Sequence, residues 1–257
     1  MLNAAHPIEA VVRFDITAVD APAAPEWRAN EDVTSLLNLV RDTVPMRRQV
    51  VRTGERVYAS GDGFSSLHLL NSGFVKLLKT APDGREQVVA LKFRGDLMGF
   101  DGMASGRFTC DAIALDTSEV WTIRYEDLLN ACVRNTALLV TLNQAMGREL
   151  GRERDSHMSI CTLPADARVA DFLRYWAEAL ELRGLRCDQI SMRLTRAEIG
   201  NYLGMTLETV SRALSKLAKA NLITFPEKDR RDVRIANLQA LTVFVAGCLD
   251  TAPAALH

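Results

Sequence analysis

Residues 191–222 constrain the fold of this chain most, because they divide into two short helices joined at a glycine. They read SMRLTRAEIGNYLGMTLETVSRALSKLAKANL. Thr195, followed by Glu198 three residues later, forms a capping box, which predicts the start of a first helix. That helix is expected to end at Leu203, because Gly204 readily adopts a left-handed conformation that strains other residues.

A second helix is predicted from about residue 207 to 220, with Thr206 as its N-cap. Gly200 is small enough to let the two helices approach closely, and apolar side chains recur at helical spacing on both inward faces. These inward residues are Ile199, Leu203, Val210, Leu214 and Leu217. A small residue, a turn glycine and this apolar spacing are typical of a helix-turn-helix.

The outward face of the second helix carries side chains suited to reading DNA. Arg212 can donate two hydrogen bonds to guanine, Glu208 can accept from the amino group of cytosine, and Ser211 suits several bases. We therefore predict these three residues as base readers. Other polar residues around the motif are predicted to bind the phosphate backbone and set the register. They are Thr195, Arg196, Thr206, Thr209, Ser215, Lys216, Lys219, Lys228, Arg230 and Arg231.

A short β-hairpin with a basic tip is predicted after the second helix. Its strands are 222–225 and 233–235, with PEKDRRD between them. Residues 190–235 contain nine basic and five acidic side chains, whereas the whole chain has a net charge of −1. This local excess suits a module that neutralises phosphates. A helix-turn-helix with a basic wing predicts binding to double-stranded DNA, the alternative being a motif that only mediates protein contacts.

Upstream, residues 47–125 form short alternating runs of apolar and polar residues, separated by turn signals. Examples are the runs SLHLLNSGFVKLLKT and EQVVALKFRGDLMGF and the turn NSG. This spacing predicts a small antiparallel barrel or roll. The run LKTAPDGREQVVA indicates a hairpin whose tip is Asp83-Gly84.

The period becomes helical after residue 125, so the predicted fold class is α+β. A long helix is predicted from about 135 to 161, with an apolar seam between charged flanks that is typical of one half of a coiled coil. We expect this helix to form a homodimer, the alternative being that it packs only on its own domain. The seam residues are Leu138, Leu142, Met146, Leu150, Glu153 and His157.

Pro164 ends the long helix, and a further helix is predicted over 165–182. The predicted organisation is an N-terminal arm at 1–40, the roll at 41–134, the dimerisation helix at 135–163, the winged helix-turn-helix at 164–249 and a tail at 250–257.

This order of elements resembles the Crp/Fnr family of bacterial regulators from about residue 47 to 249. RAEIGNYLGMTLETVSRALSKL is similar to the Fnr branch, whose reading motif E-x-x-S-R is matched by Glu208, Ser211 and Arg212, and GDLMGFDGMASG is similar to the Fnr-type sensor domain. The resemblance implies a jelly roll like a cyclic-nucleotide-binding domain, and a homodimer at a TTGAT–N4–ATCAA-like palindrome that activates transcription. It also implies that roll loops contact RNA polymerase. The residues expected to do so are Asp83, Gly84 and Arg85.

Two departures from the family concern its signal. Fnr holds an iron–sulfur cluster through cysteines near its N-terminus and one in the roll, but residues 1–46 contain no cysteine and the roll position is Trp121. No such cluster is expected. The cyclic-nucleotide branch uses Gly-Glu for the ribose and Arg-Ser or Arg-Ala for the phosphate, where this chain has GFDG at 99–102 and RFT at 107–109. Cyclic AMP is therefore not expected to bind.

Other signals stay open at this stage. Some cluster-free relatives bind haem, a thiol switch could use Cys110 or Cys187, and a third alternative is control by abundance without any ligand. The five cysteines show no CxxC spacing, so no metal site is predicted. The isolated histidines that a haem could use are His6, His68, His157 and His257.

The sequence also argues against other classes of protein. A cupin-type metalloenzyme needs clustered histidine and glutamate ligands, and neither these nor a phosphate loop, a GxSxG elbow or an HExxH helix is found. We therefore predict no enzymatic activity. No apolar run approaches the roughly 18–20 residues that span a bilayer. Because the N-terminus also lacks a signal-peptide pattern, we expect a cytoplasmic protein without membrane contact.

Overall fold

The computed structural model describes residues 33–226 and 231–250. Most of the predicted arm, the predicted tail after residue 250, and Lys228 and Arg230 at the predicted wing tip lie outside these ranges. None of the described helices combines the length and the apolar character needed to cross a membrane.

An antiparallel roll of two four-stranded sheets follows the first helix, as predicted. Its strands are β1 (Arg47–Val51), β2 (Arg56–Tyr58), β3 (Ser66–Ser72), β4 (Val75–Thr80), β5 (Glu86–Lys92), β6 (Leu97–Met98), β7 (Asp111–Ala114) and β8 (Ser118–Arg124). The sheet orders are β1-β8-β3-β6 and β2-β7-β4-β5. Alternating side chains from both sheets, such as Leu70, Val75 and Val120, are buried together between the sheets.

The predicted hairpin at Asp83-Gly84 joins β4 to β5. These strands pair from Val75 opposite Lys92 to Thr80 opposite Glu86, and Gly84 adopts the φ of +82° that its tight turn requires. β5 lies at the edge of its sheet. Its outer backbone groups therefore need partners from elsewhere in the protein.

Four helices surround the roll. They are α1 (Val33–Thr43), α2 (Gly102–Ser105), α3 (Tyr125–Arg134) and α4 (Thr136–Thr162). The long helix α4 begins where the sequence predicts, because the side-chain oxygen of Asn135 accepts hydrogen bonds from the first free N–H groups.

The structure corrects the first part of the predicted dimer seam. Leu138 and Leu142 are only 2% and 5% exposed, because they pack into a core formed with α1, α3 and the roll. They are therefore not available to a second copy of the chain. Helical periodicity identifies an apolar face but does not reveal which surface covers it.

The C-terminal half contains the predicted helix-turn-helix and wing. Its elements are α5 (Ala165–Glu181), β9 (Gln189–Ser191), α6 (Arg196–Leu203), α7 (Leu207–Lys219), β10 (Ile223–Thr224), β11 (Asp232–Ile235) and α8 (Leu238–Asp250). The wing strands β10 and β11 form an antiparallel sheet with β9 in the order β10-β11-β9. Two of these elements were not predicted from the sequence. They are β9, which has only three residues, and α8, which packs on α5.

The roll and the helix-turn-helix share one hydrophobic core. Trp176 of α5 lies at its centre and is 1% exposed. The ring centroids of Phe74 and Phe93 from the roll lie 5.7 and 5.4 Å from the indole, and that of Phe172 from α5 lies 5.6 Å away. The same core includes Leu78, Val88 and Leu91 of the roll and the inward face of α7.

A buried cluster of charges joins the same parts. The carboxylate of Asp96, after β5, lies 3.2 Å from the Arg152 guanidinium of α4 and 2.9 Å from that of Arg183, beyond α5. Burial opposes the charged form of Asp96, but Arg152, Arg183 and Lys92 outweigh it and hold the pKa of this carboxyl below its usual range. Lys92 is itself 2% exposed and pairs with Glu149 of α4.

Candidate nucleic-acid interface

Both helices of the helix-turn-helix start at the predicted caps. The Thr195 hydroxyl accepts from the backbone N–H of Glu198 at 3.2 Å, and the Glu198 carboxylate accepts from the backbone N–H of Thr195 at 2.8 Å. At the second helix, the Thr206 hydroxyl accepts from the backbone N–H of Thr209 at 3.3 Å. The first box is therefore complete and the second is half present, as the sequence predicted.

Two glycines allow the close approach of α6 and α7. A Cβ added at Gly200 would lie 2.5 Å from the carbonyl oxygen of Met205, which is closer than real side chains come to backbone. Gly204 ends α6 with a φ of +65°. The five inward apolar residues named above are all buried against each other and the shared core.

The three predicted base readers lie together on the outward face of α7. Glu208 and Arg212 are exposed and Ser211 is half-buried. Hydrogen bonds from its own backbone N–H and from Thr206 hold the pKa of Glu208 below its usual range, so it is a charged acceptor at neutral pH. The Arg212 guanidinium donates to the Thr209 hydroxyl at 3.3 Å.

The Ser211 hydroxyl is already engaged by a residue of the other helix. The guanidinium of Arg196, the first residue of α6, donates to Ser211 Oγ at 3.1 Å. Because this bond occupies a lone pair of the oxygen, the hydroxyl hydrogen is left to point elsewhere. From the sequence, Arg196 was predicted only as a phosphate contact, and its bond to Ser211 was not predicted.

The predicted phosphate-binding residues differ in their exposure and in the polar contacts they make. Lys219 and Arg231 are exposed at the surface. The ammonium of Lys216 forms an ion pair with Asp166 at the start of α5, and Ser215 donates to the carbonyl of Ser211 at 2.9 Å. Thr195 and Thr206 use their hydroxyl oxygens as helix caps, as described above. Arg196, by its bond to Ser211, and Thr209, by its bond to Arg212, are also engaged.

Comparisons with known proteins agree with this arrangement. Residues 48–135 match the family model of the cyclic nucleotide-binding domain, and residues 167–244 match that of the Crp-like helix-turn-helix domain. The transcriptional activator protein FnrA of Stutzerimonas stutzeri is 30% identical over 209 residues, which cover 81% of this chain and 84% of FnrA. This chain belongs to the Crp/Fnr family. It is therefore a DNA-binding transcription regulator.

Two further relatives place this Crp/Fnr protein beside Fnr-like regulators. The fumarate and nitrate reduction regulatory protein of Escherichia coli K12 is 30% identical over 187 residues, or 73% of this chain and 75% of the relative. The structure of FixK2 from Bradyrhizobium japonicum is 27% identical and has a TM-score of 0.69. That match covers 82% of this chain and 100% of the FixK2 chain.

A cavity of about 700 Å³ lies between the roll and α4 of this Crp/Fnr protein. Its lining includes three carboxylates, Asp101, Glu149 and Glu153, and the Glu149 carboxylate pairs with Lys92. Asp101 accepts from the backbone N–H and the hydroxyl of Thr109 at 2.7 and 3.0 Å. Lys79 and Lys92 line the same cavity, so side chains of both charge signs face it.

The residues weighed for other signals are differently placed. His68 is buried in the roll beside Thr122, and burial lowers its pKa to about 4, whereas His157 is exposed at the cavity rim. Burial, and then the charge and hydrogen bond of Asp101, raise the pKa of the Cys110 thiol to about 12. A thiol that stays protonated is a poor redox switch. Within residues 33–226 and 231–250, no three histidine, cysteine or acidic residues are grouped to hold a metal ion.

Proposed function

We propose that this regulator binds a TTGAT–N4–ATCAA-like palindrome as a homodimer and activates transcription. The observation that carries the proposal is the group of Glu208, Ser211 and Arg212 on the open face of a capped, well-packed α7. Ser211 and Arg212 lie three and four residues after Glu208, so the charged glutamate and the arginine share one helix face and can address cytosine and guanine in adjacent base pairs. The matching E-x-x-S-R motif supports this sequence preference.

The dimer is supported by an apolar stripe on α4 that the protomer leaves exposed. Leu139, Leu150 and Met158 are 42%, 53% and 62% exposed, and Met146 is half-buried between them. Intervals of four, three and four residues separate, in order, Met146, Leu150, Glu153 and His157. This spacing matches the seam of a two-helix coiled coil. The proposed seam therefore starts at Leu139 rather than at Leu138.

Activation is proposed to use the tip of the β4–β5 hairpin against RNA polymerase. Arg85 donates to the Asp83 carboxylate from its backbone N–H at 3.1 Å and from its guanidinium at 2.7 Å, so the exposed tip has a defined shape. Gly84 provides the turn. The name of FnrA, an activator, supports this direction of control.

We also propose that neither an iron–sulfur cluster nor a cyclic nucleotide provides the signal. Trp121 stands at the roll position of the cluster cysteine, is 4% exposed, and donates from its indole N–H to Glu119 at 2.8 Å. The Arg48 guanidinium lies 5.2 Å from the centre of its ring. The absorption spectrum of anaerobically purified protein tests this proposal: we expect no visible bands, whereas a Soret band would identify haem and broad brown absorbance a cluster.

The DNA-binding proposal is tested by titrating the palindrome and a scrambled duplex over a range of salt concentrations. We expect the palindrome to bind at least about 10³-fold more tightly at physiological salt, with affinity for both duplexes falling as salt rises. Arg134→Ala, at an exposed site on α3, is the matched control for surface charge and should bind like the unmodified protein. Equal affinity for both duplexes would refute the proposed sequence preference.

The dimer is tested by light scattering after size-exclusion chromatography. Leu150→Glu places a third carboxylate beside Glu149 and Glu153 on α4, at the proposed seam, and should produce monomers. Leu129→Glu, on the exposed face of α3, is the matched control and should remain dimeric. A dimeric Leu150→Glu variant would show that α4 does not form the interface in this way.

A further inference from the structure

Asn201 attaches the first helix of the reading motif to the edge strand of the roll. The side-chain oxygen of Asn201 in α6 accepts from the backbone N–H of Val88 at 2.5 Å, and its amide nitrogen donates to the carbonyl of Glu86 at 2.6 Å. The Gln87 side chain donates to the backbone carbonyl of Asn201. The amide of Asn201 thus pairs with β5 as a neighbouring strand would, and satisfies one N–H group and one carbonyl of this edge strand.

A second contact lies one turn earlier on α6. The ammonium of Lys76 in β4 lies 2.5 Å from Glu198 Oε1, and the two side chains are 14% and 29% exposed. The other oxygen of Glu198 accepts from the backbone N–H and the hydroxyl of Thr195, both at 2.8 Å. Glu198, which completes the capping box of α6, therefore also binds the roll. We call these bonds of Asn201 and Glu198 to the hairpin the α6–hairpin contact.

The hairpin is in turn fixed to the long helix. Lys92 at the end of β5 pairs with Glu149 of α4, and Asp96 just beyond it binds Arg152 of α4 at 3.2 Å. Polar bonds therefore connect β5 and the residues just beyond it to α4 at one end, and connect β5 to α6 at the other, where they are half-buried or exposed. Because α6 packs directly on α7, these bonds act together with the shared core to position the reading face relative to α4.

We infer that the α6–hairpin contact sets the spacing between the two half-sites that the dimer accepts, with Asn201 as the principal positioning residue. The inference rests on the proposed palindrome and on dimerisation through α4. Each added base pair moves a half-site by about 3.4 Å and turns it by about 35°. We call the helix-turn-helix of each protomer its reading head. If this head is held rigidly on α4, the dimer can match only one spacer length. If it is released from the hairpin, it can follow a displaced half-site.

The experiment compares Asn201→Ala with the unmodified full-length protein on three kinds of DNA: the N4 palindrome, palindromes with spacers changed by one or two base pairs, and a single half-site. Asn130→Ala, at an exposed position on α3, is the matched control. For the unmodified protein we expect affinity to fall about 100-fold when the spacer changes by two base pairs, because only one head then binds. For Asn201→Ala we expect that ratio to shrink to about tenfold or less, with unchanged affinity for the half-site.

Lys76→Met is a second variant, which removes the other bond of the contact and leaves Asn201 in place. It should lower the spacing ratio in the same direction as Asn201→Ala, and thermal unfolding of both variants checks that they remain folded. An unchanged ratio in both folded variants would overturn the inference. So would an equal loss of affinity for the half-site and the palindrome, since that result indicates only local damage to α6.

The failure of the proposed function has a different signature. If the unmodified protein does not prefer the N4 palindrome to a scrambled duplex, the proposed target is wrong, and the spacing inference is overturned with it. If the unmodified protein discriminates between spacers and Asn201→Ala discriminates equally well, only the spacing inference is overturned.

Discussion

The two helices of the reading motif use their outward faces in opposite ways. On α7 the outward residues Glu208 and Arg212 are exposed and have few bonds within the chain. On α6 the outward residues Glu198 and Asn201 are bound to the roll by an ion pair and short hydrogen bonds. The polar side chains of α7 are available to bind DNA, whereas those of α6 bind the roll and help to hold α7 in position.

This difference shows why the two faces are unequally visible in the sequence. The face of α7 follows from a local pattern, because caps, inward apolar residues and outward polar residues lie within about four turns of helix. The partners of α6 lie more than 100 residues away in the chain. Substitutions in and around the two helices test this difference.

The largest effect is expected at the buried cluster of charges around Asp96. Asp96→Ala leaves the guanidinium of Arg183, whose side chain is 4% exposed, without its carboxylate. Removing one partner of a buried ion pair costs about 3–5 kcal/mol of unfolding free energy, which urea denaturation can measure. Asp42→Ala breaks the exposed pair with Arg41 and serves as the control, with an expected loss below about 1 kcal/mol. Similar losses in the two variants would contradict the structural role of Asp96.

The next effect concerns the spacing between the two helices. Gly200→Ala places a methyl group 2.5 Å from the Met205 carbonyl oxygen, so α6 and α7 must separate. We expect a loss of about 1–3 kcal/mol in unfolding free energy, together with weaker DNA binding. Gly247→Ala in α8 meets no atom within 4 Å and should be neutral or stabilising by up to about 1 kcal/mol. Thermal unfolding measures both, and a neutral Gly200→Ala would show that the helices are not closely packed there.

On the open face, Arg212→Ala tests base reading. We expect it to weaken binding to the cognate palindrome by about 1–3 kcal/mol and to relax the preference at one base pair. Binding to random DNA should change much less. Arg134→Ala again controls for the loss of one positive charge. An equal loss on random DNA would instead make Arg212 a phosphate contact.

The smallest effect is expected at the bond that joins the two faces. Arg196→Ala removes the donor that orients the Ser211 hydroxyl at 3.1 Å, a bond worth about 0.5–1.5 kcal/mol. If Arg196 acts through Ser211, the loss should largely disappear when Ser211→Ala is already present. A double-mutant cycle on the cognate palindrome measures this coupling. Additive losses would return Arg196 to the role of a phosphate contact alone.

Much of the fold was predictable because its signals are local. Turn glycines such as Gly84, the caps Thr195 and Thr206, and the helix end at Pro164 determine backbone conformation within a few residues. The roll, the long helix and the order of the winged motif follow from these signals and from periodicity. The outward face of the second helix predicted the base readers, and the family resemblance added the E-x-x-S-R motif that they match.

The parts that could not be predicted depend on which surfaces meet. Leu138 and Leu142 have the spacing of a dimer seam, but the protomer covers them with α1 and α3. The strongly apolar α8 gives no helical signal of its own, since both of its faces are apolar in sequence. Nothing near Asn201 or Lys76 in the sequence indicates that Asn201 bonds to β5 or that Lys76 pairs with Glu198.

The fluorescence of Trp176 should report whether the roll and the C-terminal half are in contact. Its indole touches phenylalanines from the roll on one side and from α5 on the other. Any movement that parts the halves must bring water to this ring, which is now almost completely enclosed. Its fluorescence should therefore shift to longer wavelength whenever the reading head leaves the roll, so the protein carries its own reporter of that movement.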